Sequence, residues 1–169
     1  MRASTLAVLL ALGSLLLTRS LFALVISEIH YHPAGAAELS RRLEFIEIYN
    51  PDPLPVPIGG LYITDDPVAK PLKHKFPPVS FIDPGGYRVL LADEDAGQNA
   101  RHVNFRLSPL QEMIALFDAQ GSEIDKVLYY GQTTDVSQGR APDAATEYAF
   151  FELPTPGVRN SVATTDTNT

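Results

Sequence analysis

Met113-Ile114-Ala115-Leu116-Phe117, Asp118-Ala119-Gln120-Gly121 and Ile124-Asp125-Lys126-Val127-Leu128-Tyr129 together decide the fold. Two runs rich in aliphatic and β-branched residues flank a short connection with Asp at its first corner and Gly at its last. Asp accepts hydrogen bonds from nearby backbone amides and Gly supplies a positive φ, so the stretch predicts a β-hairpin. Outward from it the same grammar repeats. Gly86-Tyr87-Arg88-Val89-Leu90-Leu91 is launched by Asp83-Pro84-Gly85. Leu61-Tyr62-Ile63-Thr64 follows Gly59-Gly60 and stops at Asp65-Asp66-Pro67. Leu43 to Tyr49 ends at Asn50-Pro51-Asp52-Pro53, and Leu24 to Tyr31 ends near Pro33. No stretch after the first two dozen residues keeps helical apolar spacing, so the segments predict an all-β chain folded as a sandwich. Prolines within Pro51 to Pro57 and Pro71 to Pro78 belong in edges or loops, because they donate nothing to a ladder.

The 169 residues suit one domain, and 45% hydrophobic content is enough for a core. Without Cys there is no disulfide, no thiolate nucleophile and no Cys-ligated metal centre. A net charge of −7 repels phosphate backbones and argues against nucleic acid as a partner.

Met1-Arg2 followed by the uncharged run Leu6 to Leu17 has the layout of a helical signal peptide. The run is shorter than the roughly 20 residues that cross a bilayer, and Arg19 interrupts its extension. Cleavage after Ser20 and cleavage after Ala23 both leave a small residue at the junction, and the leader is taken as residues 1–23. An uncleaved anchor over Leu6 to Ile26 is the competing reading. The domain is expected over residues 24–160, secreted, periplasmic or at the cell surface, with no membrane span once the leader is gone. Residues 161–169, rich in Thr and nearly devoid of apolar side chains, are expected to be a disordered tail or a linker toward a further, catalytic part.

Read in order, eight short pieces resemble the lamin-tail domain family in its bacterial exported form. They are Ile26 to Pro33, Glu44 to Asn50, Gly60 to Asp66, Phe76-Pro77-Pro78, Pro84 to Tyr87, Asn104 to Ser108, Ser137 to Asp143, and Pro154-Thr155-Pro156-Gly157-Val158-Arg159-Asn160. Where the family usually has Trp after Gly, this chain has Leu61, so a smaller side chain is expected in the core there. The resemblance implies an immunoglobulin-like β-sandwich of about eight or nine strands. It implies no common catalytic set. In exported bacterial proteins such domains stand beside nucleases, phosphoesterases or kinase-like domains as accessory modules.

Glu28, His30 and His32 alternate along one predicted strand and share a face. His-x-His can offer two imidazoles to one metal, with Glu28 and Glu47 of the next strand as carboxylate ligands. These four are the candidate metal ligands, and no motif implies a cofactor. The plainer reading is a solvated face opposite Ser27, Ile29 and Tyr31. Asp65-Asp66 and Asp93-Glu94-Asp95 are candidate Ca²⁺ loops without the alternating spacing of an EF-hand. Ser80, Ser108 and Ser137 lack a nucleophile elbow, and Glu44 with Glu47 is the one candidate acid dyad. Lys70, Lys73, His74 and Lys75 form a basic patch beside Phe76 suited to an anionic glycan or surface, and the seven Tyr are candidates for a recognition surface.

With complete strand architecture and no catalytic constellation, the chain reads as a non-enzymatic binding, spacer or accessory module at the cell envelope. Its expected partner is an envelope or extracellular protein or a glycan. A metal-assisted hydrolase, or the N-terminal piece of a larger exported enzyme, is the alternative.

Overall fold

The computed structural model describes residues 23–31, 44–131 and 133–160. The expected leader, the tail from residue 161 and His32 lie outside them, apart from Ala23. The described chain is all-β, and no helix in it is long and apolar enough to cross a membrane.

Eleven strands run in chain order: β1 Val25–His30, β2 Phe45–Tyr49, β3 Val56–Pro57, β4 Tyr62–Thr64, β5 His74–Lys75, β6 Phe81–Ile82, β7 Tyr87–Leu91, β8 Gln111–Phe117, β9 Glu123–Tyr130, β10 Ser137–Arg140 and β11 Tyr148–Phe151. They form a five-stranded sheet ordered β11-β10-β1-β2-β7, a four-stranded sheet ordered β5-β4-β8-β9 and the small pair β3-β6, all antiparallel. Three strands are only two residues long, and the remaining eight match the expected count.

The predicted hairpin is β8-β9. Asp118 Oδ1 accepts from the amides of Gln120 (2.9 Å) and Ser122 (2.7 Å), and Gly121 takes φ 82°. Alternation then builds the interior. Ile46 and Ile48 from β2 meet Ile26, Ile29 and Leu90 in their own sheet and Ile63, Ile114 and Leu116 from the facing one. Leu61 is buried in this cluster, and the chain there is fastened to the equally buried Phe76 by reciprocal backbone hydrogen bonds.

Asp125 ties the layers together. Its Oδ2 accepts from the Ile26 amide of β1 at 2.7 Å, and both its oxygens accept from Arg140 Nη2 of β10. Five strands escape the sequence pattern. β3, β5 and β6 are too short to show a period. The polar β10 pairs with β1 because Gly139 lets the chains close up: a Cβ there would sit 2.6 Å from the Ser27 carbonyl oxygen. β11 completes that edge.

Candidate functional site

The reading of Glu28 and His30 as a solvated face is overturned. Glu28, Glu47 and His30 are all buried, at 0%, 0% and 1% exposure. A bulge between Ile26 and Glu28 shifts the register of β1, so that Glu28 lies directly across from Glu47 on the face turned away from the apolar core. What covers them is the C-terminal strap, residues 152–160.

Each carboxylate is occupied by donors. Glu28 Oε1 accepts from the Thr155 amide at 3.0 Å and from the Ser137 hydroxyl, and its Oε2 accepts from the Thr155 hydroxyl at 2.9 Å. Glu47 Oε1 accepts from the Ser27 hydroxyl at 2.8 Å, and its Oε2 from the Gly157 amide at 2.6 Å. Asn160 closes the strap by donating from Nδ2 to the carbonyls of Ser27 (3.0 Å) and Arg140 (2.9 Å), while its amide donates to Asp143 Oδ1 at 2.7 Å. Burial raises the proton affinity of both acids, the Asp143 charge adds to it in each, and the Glu28 charge adds to it in Glu47. Glu47 is pushed up to about 7. The pair therefore fastens the chain to itself, and its oxygens are turned inward rather than toward a substrate.

His30 packs its ring 5.4 Å from that of Phe45. Three of the four predicted metal ligands thus share one face, while His32 lies outside the described residues. Among the described residues no group of three or more His, Asp or Glu side chains is arranged to hold a metal ion.

The other candidates are scattered. Glu44 accepts from the Leu107 amide, which separates it in role from Glu47. Asp65 is engaged by Lys73 (2.6 Å), Asp93 by His102 Nδ1 (2.7 Å) and Glu94 by Arg106 (3.2 Å), so these three acids of the candidate loops are held by neighbouring side chains. The basic patch is dispersed in the same way. Lys73 is paired and lies over the Phe105 ring, Lys75 lies over the Tyr62 ring, and His74 is buried, which lowers its proton affinity. Ser137 serves Glu28, and Ser80 donates to the Pro77 carbonyl.

Two concavities among the described residues bear on function. One, of about 520 Å³, is lined chiefly by Pro57, Phe76, Pro77, Pro78, Val79 and Phe81, with Lys75 as its only charged group. The other, of about 410 Å³, lies where the strap ends and is lined by Tyr49, Pro51, Tyr87, Pro142, Asp143, Ala144 and Arg159. The rings of Tyr49 and Tyr87 are 4.9 Å apart and tilted by 33°. Tyr87 donates to Asp143, and burial followed by that carboxylate keeps its phenol protonated. This second cleft was not legible as a site. The abundance of Tyr hinted at a recognition surface, but nothing in the sequence pairs residues 49 and 87 with 143 and 159.

An antiparallel sandwich whose buried polar groups anchor its own chain defines an immunoglobulin-like module. The chain belongs to the Lamin Tail Domain family, whose sequence model matches residues 20–131. The match ends before β10 and the strap, which supply three of the four residues that donate to the acid pair, Ser137, Thr155 and Gly157. No curated protein matches the chain.

Proposed function

We propose that this chain is exported and acts at the cell envelope as a non-catalytic lamin-tail module that binds, spaces or accompanies other components. The observation that carries the reading is the use made of Glu28 and Glu47. The acids best placed for chemistry are spent on the strap, at full burial, which leaves the sandwich rim as the surface available to partners. The basic start and apolar run from Met1 to Leu17 support export.

Expression of the full chain in a bacterial host, followed by fractionation and N-terminal sequencing, tests the address. The expected result is a mature chain starting after Ser20 or Ala23 and co-sedimenting with envelope material. Retention in the cytoplasm with Met1 intact overturns it. Hydrolysis of phosphoesters, glycosides or peptides that is abolished by Glu47→Gln would overturn the non-catalytic part.

A further inference from the structure

We propose that the cleft between Tyr49, Tyr87, Asp143 and Arg159 is a binding site for a neutral saccharide. This deepens the reading of the chain as a binding module and rests on it.

The cleft is built from three separate parts of the fold. Tyr49 closes β2 and Tyr87 opens β7, and the two are direct cross-strand partners. Being two residues on from Glu47, Tyr49 lies on the same sheet face as the acid pair, so the cleft is the uncovered continuation of the surface that the strap seals. Asp143 arrives from the β10–β11 connection, and Arg159 from the strap itself.

The polar groups at the cleft are positioned unequally. Asp143 has a side chain only 6% exposed. Its Oδ1 is held by the Asn160 amide at 2.7 Å and it also accepts from Tyr87. Arg159, by contrast, is 77% exposed and stands 4.0 Å from Asp143 Oδ2, at the outer limit of an ion pair. A buried, fixed acceptor thus lies beside an exposed, forked donor, and two aromatic rings and two prolines line the rest of the cleft.

The lining selects by chemistry. One carboxylate and one guanidinium cancel, so neither an anion nor a cation is favoured overall, and the net charge of −7 opposes anionic ligands further. A purely apolar ligand would desolvate the charged pair without replacing its hydrogen bonds. A proline-rich peptide suits the aromatic and proline walls, but it offers carbonyl acceptors and few donors, leaving Asp143 without a new partner. Pyranose rings meet all the demands. Their C–H faces lie on tyrosine, and their hydroxyls donate to a carboxylate while accepting from a guanidinium. The volume of about 410 Å³ falls in the range of small-molecule sites. The 520 Å³ concavity lacks such a donor–acceptor pair, since Ser80 is committed to Pro77.

The test is titration of the full chain with cellotetraose and chitotetraose, followed by calorimetry and by tyrosine fluorescence, which no Trp obscures in this protein. An open site of this kind predicts a dissociation constant on the order of 1 mM for at least one of them. Arg159→Ala, at an exposed position, is expected to weaken binding about tenfold, the equivalent of one lost charge-assisted hydrogen bond. Ala144→Leu fills the cleft and is expected to abolish binding, with both variants melting as the parent does. No binding of either sugar at tens of millimolar, or binding that neither variant alters, overturns the proposal. So does a preference for a proline-rich peptide or an acidic oligosaccharide. Envelope retention without sugar binding would remove this site and leave the module reading standing. Sugar binding by a chain that is not exported would do the reverse.

Discussion

Glu28 and Glu47 sit opposite one another across the β1–β2 ladder, both fully buried, each holding a different backbone amide of the same C-terminal strap. Two carboxylates so close together in a dry site repel when both are ionised. The arrangement is tolerated because donors from Ser27, Ser137, Thr155 and Gly157 surround them and because burial raises the proton affinity of both acids.

Stability is therefore expected to fall as pH rises through neutrality. Glu47 binds its proton more tightly in the fold, at about 7 against an ordinary 4.5, so folding takes up protons in that interval. The stabilisation is fully present below about 4.5 and is lost by about pH 8, amounting to up to about 3 kcal/mol. Thermal melts between pH 5 and pH 8 read this directly. Glu47→Gln keeps the shape and an acceptor for Gly157, and it should flatten the dependence. An unchanged slope in that variant would assign the effect elsewhere.

Asn160→Ala should loosen the strap. Its amide group donates to two buried carbonyls, those of Ser27 and Arg140. Losing both of these buried hydrogen bonds costs about 2–4 kcal/mol. Urea unfolding measures the loss, and faster hydrogen exchange at the Thr155 and Gly157 amides would locate it in the strap.

Gly139→Ala is expected to be among the most damaging single-methyl additions. The new Cβ would meet the Ser27 carbonyl oxygen at 2.6 Å, with Asn160 Nδ2 and Phe151 Cε2 each at 3.0 Å. Backbone on β1 cannot yield without breaking the β1–β10 pairing, so the expected cost is about 3 kcal/mol or more. Gly131→Ala, whose nearest neighbour is at 3.6 Å, is the matched control and should melt within a few degrees of the parent.

Asp125→Ala should separate the layers at one end of the sandwich. It removes the acceptor of the Ile26 amide and leaves the Arg140 guanidinium, 10% exposed, without its carboxylate. Breaking a buried pair from one side costs about 3–5 kcal/mol. Arg140 retains its bonds to the Ile26 and Ala145 carbonyls, so Asp125→Asn, which preserves an acceptor, should recover part of the loss in the same denaturation assay.

The sandwich was legible from sequence because its determinants are local. Strand patterning in Leu43 to Tyr49, Met113 to Phe117 and Ile124 to Tyr129, and the turn at Asp118 to Gly121, each depend on residues a few positions apart, and the strands form there to within two residues at each end. The resemblance carried by the short motifs extended that reading to the family. Leu61 shows the same economy, since its place in the core follows from its register regardless of its smaller size.

The state of Glu28 and Glu47 was decided only by tertiary structure. An alternating Glu-x-His on a strand says which side chains share a face, and it is silent on whether that face meets water. Here the cover comes from Thr155 and Gly157, 127 and 110 residues further along the chain, and from a bulge that moves Glu28 into line with Glu47. The Tyr49–Tyr87 cleft likewise exists because β2 and β7 pair while Asp143 and Arg159 are brought in by β10 and the strap. Periodicity is a property of neighbours along the backbone, whereas burial and the ionisation it controls belong to whatever the folded chain places on top.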